Sequence, residues 1–143
     1  MAQNSFSLSF NDFADKSIEQ VKLIQKKTLI DLSDSIVKDS PVDTGRFRAN
    51  WFGSWDDVEA DTTESIDKSG EANVSKIKSN VNEKFGEVFY LVNNIPYGEW
   101  LEYGIRKNKL NELVFMKKQP YAMVRKNIIR FNYFLKNNIK VKP

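Results

Sequence analysis

The longest uninterrupted pattern of apolar and polar positions lies near the start of the chain. Residues 11–40 contain neither glycine nor proline. Val21, Ile24, Thr28, Leu32 and Ile36 recur at helical spacing on one face. Asn11 or Asp12 supplies a side-chain oxygen for the first free N–H groups. The spacing predicts a helix from about residue 11 to residue 39, on the order of 40 Å long at the usual rise per residue. A helix of that length in a small domain packs along a sheet or reaches out to a partner. Ahead of it Phe6, Leu8 and Phe10 alternate with serines, which predicts a short extended arm over residues 1–10.

The pattern then changes every ten or fifteen residues. Residues 47–55 are aromatic-rich and read as a strand entered through a helical turn. Residues 56–70 hold Asp56, Asp57, Glu59, Asp61, Glu64 and Asp67 among serines and threonines and predict a mobile acidic loop. Val74, Ile77 and Val81 predict a short helix over residues 72–81. Residues 87–92 read as a buried strand, and Asn93-Asn94 turns it. Pro96 stands where a first helical residue would be, and a short helix over 97–103 ends at Gly104. Residues 105–119 predict a basic loop around the apolar Leu113-Val114-Phe115-Met116. Pro120 opens a last helix carrying Met123, Ile128, Phe131 and Leu135, and residues 136–143 form a loose basic tail. The sum is a single domain over residues 11–135. Its class is α+β, with a long N-terminal helix and shorter helices packed on a small, mostly antiparallel sheet.

A chain of 143 residues buries roughly 70% of its unfolded surface. Ten Phe, five Tyr and three Trp supply the apolar bulk, and Trp51, Trp55 and Trp100 are read as core. There is no Cys and no His. Disulfides and thiolate metal sites are thereby excluded, and so are the commonest general base and metal ligand. Carboxylate chemistry with Mg²⁺ is the residual enzymatic option. The aspartate spacing in residues 56–67 does not match a calcium loop, and Ser65-Ile66-Asp67-Lys68 fits S-x-x-K without any companion motif. The expected protein is therefore not an enzyme and takes no cofactor or metal. No apolar run reaches the roughly 20 residues of a membrane span, and residues 1–5 lack the basic and apolar regions of a secretory signal. The expectation is a protein made in a cytoplasm, with no membrane partner.

Charge is unevenly spread. Lys and Arg number five against seven Asp and Glu in residues 1–45, six against nine in 46–87, and eleven against three in 88–143. Such polarity suits either nucleic acid or contact between copies, acidic part to basic part. Lys117, Lys118, Arg125, Lys126 and Arg130 are the candidate contacts.

Three segments carry more than local structure. The first is Ser40-Pro41-Val42-Asp43-Thr44-Gly45-Arg46-Phe47-Arg48-Ala49-Asn50-Trp51. Pro41 stops the long helix, Asp43 and Thr44 bond local N–H groups, and Gly45 permits a positive φ. Arg46 and Arg48 follow, and one of them is expected to pair with Glu102. The second segment is Tyr90-Leu91-Val92-Asn93-Asn94-Ile95-Pro96-Tyr97-Gly98-Glu99-Trp100-Leu101-Glu102-Tyr103-Gly104. The third is Gln119-Pro120-Tyr121-Ala122-Met123-Val124-Arg125.

In their order and rough spacing these resemble the neck and tail-completion proteins of tailed bacteriophages, over about residues 10–135. That family shows a "PVDTGRLR..W" corner, an "NNxPYAxxLEYG" turn and helix, and a "PxGMVR" helix start. The chain departs from it at Tyr121-Ala122-Met123 and in a longer stretch over residues 106–118. The resemblance implies a structural virion protein without enzymatic activity. Such proteins form rings, typically hexameric, between the head connector and the tail tube, and complete the tail or neck. On that reading Pro41, Asp43, Thr44, Gly45, Arg46 and Arg48 are a structural corner. Tyr97, Glu99, Trp100, Glu102 and Tyr103 are the candidate subunit interface. Partners would be further copies, adjacent neck and tail-tube proteins, and DNA in passing, with the acidic loop facing the lumen of the ring. The alternative is a basic nucleic-acid-binding accessory protein.

Overall fold

A computed structural model describes residues 2–83 and 86–140. Nine elements follow in order: α1 (Ala2–Asp39), α2 (Arg46–Ala49), β1 (Trp51–Trp55), α3 (Glu71–Glu83), β2 (Phe89–Asn93), α4 (Gly98–Tyr103), β3 (Ile105–Lys107), β4 (Leu113–Phe115) and α5 (Met123–Lys140). The class is α+β. The strands form two separate two-stranded antiparallel sheets, β1–β2 and β3–β4.

Helix α1 runs about 57 Å at 1.5 Å per residue. Residues 2–10, expected as an extended arm, are its first turns. Alternation over three apolar residues is a weak strand signal, and extending an existing helix by one residue costs little once the first turn is made. Helix α5 lies antiparallel along the C-terminal half of α1. Asn127 near its start donates to the Asp39 carboxylate at 2.9 Å, and Asn138 near its end donates to the Asp31 carboxylate at 2.8 Å. The basic tail expected from residue 136 is helical through Lys140, while residues 141–143 lie outside the described residues.

Strand β1 pairs with β2 from Trp51↔Asn93 to Trp55↔Phe89. Trp51, Gly53 and Trp55 alternate into the core, and Asn80 of α3 donates to the Gly53 carbonyl at 2.9 Å. The core gathers Ile36, Val37, Phe47, Trp51, Ile77, Val81, Ile95 and Met123. Strand β2 was expected to be buried but is half-buried along its length, as follows for a two-stranded sheet covered by helices on one face. Trp51 and Trp55 are core residues, whereas Trp100 is half-buried.

Two further boundaries differ from expectation. Tyr97 occupies the cap position of α4, so Pro96 precedes the helix instead of opening it. Pro120 likewise stands three residues ahead of α5. The expected basic loop contains the hairpin β3–β4, paired from Ile105↔Phe115 to Lys107↔Leu113. Asn108 builds its turn, its side-chain oxygen accepting from the N–H groups of Leu110 and Glu112 at 2.9 and 3.0 Å. Gly104 ends α4 in the left-handed region, with φ 69°, as expected.

Gly45 holds φ +93°, and a Cβ there would come within 2.6 Å of the Lys68 backbone nitrogen. Backbone cannot retreat as a flexible side chain can. Gly45→Ala is expected to destabilise the fold by about 2–4 kcal/mol, from left-handed strain plus the clash. Gly98→Ala, whose new Cβ would meet only the Phe47 ring at 3.5 Å, is expected to change stability by less than about 0.5 kcal/mol. Urea melts of the two variants check the contrast.

Candidate functional site

The three sequence segments meet in space. Residues 41–47 form one wall of an open cleft of about 270 Å³, and Tyr97, Leu101 and Tyr121 form the other. Main-chain and amide bonds close the unit. The Tyr121 N–H donates to the Leu101 carbonyl at 3.0 Å, and the Asn93 amide donates to the Phe47 carbonyl at 2.9 Å. The Phe47 ring lies 5.8 Å from Tyr97 and, edge-on, 6.0 Å from Trp51.

The corner is built by short side chains. Ser40 Oγ donates to the Ile36 carbonyl at 2.8 Å and accepts from the Trp51 indole N–H at 2.9 Å. Thr44 Oγ1 accepts from the Arg46 N–H at 3.2 Å. Asp43 stands exposed on the rim of the cleft. Thr44 thus does the turn chemistry expected of it, whereas the expected bond from a local N–H to Asp43 is not made among the described residues.

The two arginines do not pair with Glu102. They sit on the helical turn α2, through which the strand is entered, and point elsewhere. Arg46 Nη2 binds Glu64 Oε1 at 2.7 Å. Arg48 donates to four carbonyls: Lys38 at 2.7 Å, Ser40 at 3.0 Å, Lys68 at 2.7 Å and Ser69 at 3.4 Å. Two of these belong to the end of α1, where helix carbonyls lack partners and carry partial negative charge. The other two lead into α3.

Glu102 was a candidate interface residue. It is 6% exposed and serves the interior instead. Its carboxylate accepts from the N–H groups of Val124 and Arg125, each at 3.0 Å, and from Arg125 Nε at 3.1 Å. Arg125 Nη2 donates back to the Glu102 carbonyl at 2.6 Å. A carboxylate at the end of α4 thus caps the start of α5, where N–H groups are free and the helix dipole favours negative charge. The other interface candidates remain at the surface. Tyr97, Glu99 and Tyr103 are exposed. The Arg106 guanidinium lies 4.7 Å from the Trp100 ring centre, and that of Arg125 lies 4.8 Å from Tyr103.

Of the basic candidates, Lys117, Lys118 and Lys126 are exposed. Arg125 is held as described, and Arg130 Nη1 pairs with Asp39 Oδ2 at 3.2 Å. These two guanidinium groups hold elements together within the chain.

The acidic segment, expected to be loose, is fastened at several points. The Asn50 carboxamide oxygen accepts from the Thr63 N–H at 2.8 Å, and its nitrogen donates to the Thr63 carbonyl at 3.0 Å. Asn94 donates to the carbonyls of Glu59 and Asp61. Asp67 accepts from the N–H groups of Gly70 at 3.0 Å and Asn73 at 2.9 Å, capping α3. Buried Asn73 donates to the carbonyls of Arg48 and Trp51. Asn50, Asp67 and Asn73 were not singled out from sequence. Asp67 two residues before Ser69-Gly70, at the start of a helical pattern, was the available signal.

Partial burial pushes the Asp67 carboxyl upward and is the largest single influence. Hydrogen bonds from Asn73, Gly70, Ser69 and Ala72 together outweigh it and hold the group below its ordinary value of 3.8.

Among the described residues, no group of three or more His, Cys, Asp or Glu side chains is placed to hold a metal ion. No helix there is long and apolar enough to cross a membrane. Compared with models of known families, with curated proteins and with solved structures, the chain matches none.

Two outcomes follow from this geometry. Glu102→Ala orphans two helix N–H groups and the Arg125 guanidinium, and is expected to cost about 2–4 kcal/mol in a denaturant melt. For Asp67 the folded-state value is depressed, so its stabilisation is present above the unfolded value of 3.8 and is lost as pH falls through the folded value. Asp67→Asn is therefore expected to be less stable than the parent at pH 7. The gap should narrow steadily below the ordinary carboxylate range, which urea melts across pH 2–7 will show.

Proposed function

We propose that this chain is a structural virion protein of a tailed bacteriophage. On this reading it forms a ring at the neck or head-proximal end of the tail, completing the tail and joining it to the head connector. The observation that carries the proposal is the convergence of the three segments that resemble the tail-completion family. They are separated by tens of residues, yet they line one cleft and bond directly to one another. A shared architectural unit is what such a resemblance requires, and independent chance matches have no reason to meet.

The surface suits interface-making. The acidic segment offers Val58 and Ile66 exposed among its carboxylates, while the hairpin offers Leu110, Leu113 and Phe115 exposed beside Arg106, Lys107 and Lys109. A contact from the acidic segment of one copy to the hairpin of the next is heterologous, the kind that closes into rings. Opposite charge speeds such an encounter and sets its register. The nucleic-acid reading is weaker, because Arg125 and Arg130 are occupied within the chain.

The expected result in native mass spectrometry is a closed oligomer of the 16.6 kDa chain, six copies favoured, with ring-shaped particles in negative stain. A protein that stays monomeric at all concentrations and salts, and is also monomeric in a virion, overturns the ring. Retention on DNA that falls steeply with salt, without oligomers, would favour the nucleic-acid reading instead.

A further inference from the structure

Two strand edges of this chain are open. Just beyond the β1–β2 ladder the Asp56 N–H donates to the Val88 carbonyl at 2.7 Å. Bonded and unbonded pairs alternate in an antiparallel ladder, so Ser54↔Tyr90 and Phe52↔Val92 are the pairs that exchange bonds. Phe89 and Leu91 therefore turn their main-chain N–H and C=O groups away from β1. No second strand lies beside β2, and among the described residues nothing bonds these groups. The hairpin repeats the situation. Met116 N–H donates to the Gly104 carbonyl at 2.7 Å and Asn108 N–H to the Glu112 carbonyl at 2.9 Å. By the same alternation Leu113 and Phe115 of β4 turn their main-chain groups outward. Strand β3 follows α4 and lies against it, which leaves β4 as the free edge. The Leu113 and Phe115 side chains are 60% and 65% exposed. An open edge with exposed apolar side chains is a template for a further strand.

Charge selects the strand that each edge takes. The surroundings of β2 are acidic. Exposed Glu87 precedes it, exposed Asp57 follows β1, and Asn94 at its far end holds the main chain of Glu59 and Asp61. The surroundings of β4 are basic, with Lys109, Lys117 and Lys118 exposed against Glu112. Two copies of β2 side by side would gather carboxylates, and two copies of β4 would gather ammonium groups. A β2 beside a β4 joins opposite signs. Within one chain the two sheets are separate, so the strand that completes each edge belongs to another copy.

We propose that β4 of one copy adds antiparallel to the open edge of β2 in the next, making a four-stranded sheet of order β1–β2–β4–β3 across the boundary. In the register that the charges set, Lys117 faces Glu87, Phe115 faces Phe89 and Leu113 faces Leu91. Neither the Lys117 nor the Glu87 side chain has a partner within the chain among the described residues. Facing residues of a ladder share one side of the sheet. Phe115 and Leu113 thereby come to lie beside Phe89 and Leu91, which already pack against the core. The contact is heterologous, since every copy gives β4 and receives on β2. It rests on the ring reading above and names the strands through which the copies would join.

The absence of cysteine from the chain makes the register testable with single thiols. In this register Val88 and Met116 face each other as an unbonded pair, with Cα atoms about 4.5 Å apart, within reach of a disulfide. Val88 is 50% exposed and Met116 half-buried, so neither substitution opens the core. Val88→Cys and Met116→Cys are prepared separately and oxidised alone and mixed. The mixture is expected to give a disulfide-linked dimer, and either variant alone very little. No cross-link in the mixture overturns the proposal. Homodimers from Val88→Cys alone indicate β2 beside β2, those from Met116→Cys alone indicate β4 beside β4, and either result overturns it too. A second measurement does not depend on thiols. Glu87→Lys is expected to weaken self-association by about tenfold in sedimentation equilibrium, and so is Lys117→Glu. A chain carrying both changes is expected to regain it, because every reversed charge then meets its opposite. Unchanged association in both single variants, or no recovery in the double variant, overturns the register. Particle mass reports the ring separately: cross-linked particles that never close keep the strand pairing and remove the ring, and a closed ring without the cross-link removes the strand pairing alone.

Discussion

The fold depends on one guanidinium group. Arg48 reaches the carbonyls of Lys38 and Ser40 on one side and those of Lys68 and Ser69 on the other. Its partners are main-chain dipoles, so its charge is compensated by the chain's own turns. Lysine carries a compact charge and no planar fork, and could not span four acceptors in two directions. The arrangement makes three things simultaneous: the end of α1, the turn α2 and the approach to α3. The buried Asn73 amide adds to it by donating to the carbonyls of Arg48 and Trp51. A polar hub of this kind stays in place only if its members are satisfied, because an unpaired buried donor costs more than a made bond contributes.

The second half of the molecule repeats the logic with opposite sign. Where Arg48 answers the free carbonyls at the end of α1, Glu102 answers the free N–H groups at the start of α5. Each helix end is capped by a side chain from another element. The caps therefore fix the orientation of helices relative to one another, beyond stabilising either helix alone. Phe47, Trp51 and Met123 fill the space between the two caps. The cleft between the corner and α4 is the outer face of this joint. Its shape is set by how α1 ends and how α5 begins.

The sequence made the long helix, the corner, the strand ending at Trp55 and the Gly104 stop legible, because each rests on a local rule: helical spacing, a proline stop, aromatic content, or a left-handed glycine. It misled where a local rule had two outcomes. Phe6, Leu8 and Phe10 alternate as a strand would, yet they are continuous with a helix that has no breaker. One of Arg46 and Arg48 was expected to pair with Glu102, yet the turn α2 aims Arg46 at Glu64 and Arg48 at main-chain carbonyls. The hairpin was hidden because Asn108 closes its turn through its own side chain and its strands are only three residues long. The caps were illegible for a different reason. Glu102 and Val124 are 22 residues apart, and no spacing rule links them.

The distribution of charge now has a physical sense that net values conceal. The acidic segment spends some of its groups on the fold: Asp67 caps α3, Glu64 pairs with Arg46, and Asp56 accepts from the N–H groups of Glu87 and Val88. Part of the basic third is spent likewise, through Arg125 and Arg130. What is left at the surface is a smaller set, with exposed lysines at 117, 118 and 126 and exposed carboxylates at Asp57, Glu59 and Asp61. Opposite charges in this remainder sit on different segments of one rigid frame, so they are held where a neighbour can meet them without first being ordered. Ordering cost is a large part of what association must overcome. A frame that fixes its loops through Asn50, Asn94 and Asp67 meets that cost on folding, before any copy is encountered. For a protein proposed to work by joining others, the internal caps and the external contacts are therefore parts of one design problem: interior charges hold the surface in shape, and the remaining charges choose what it meets.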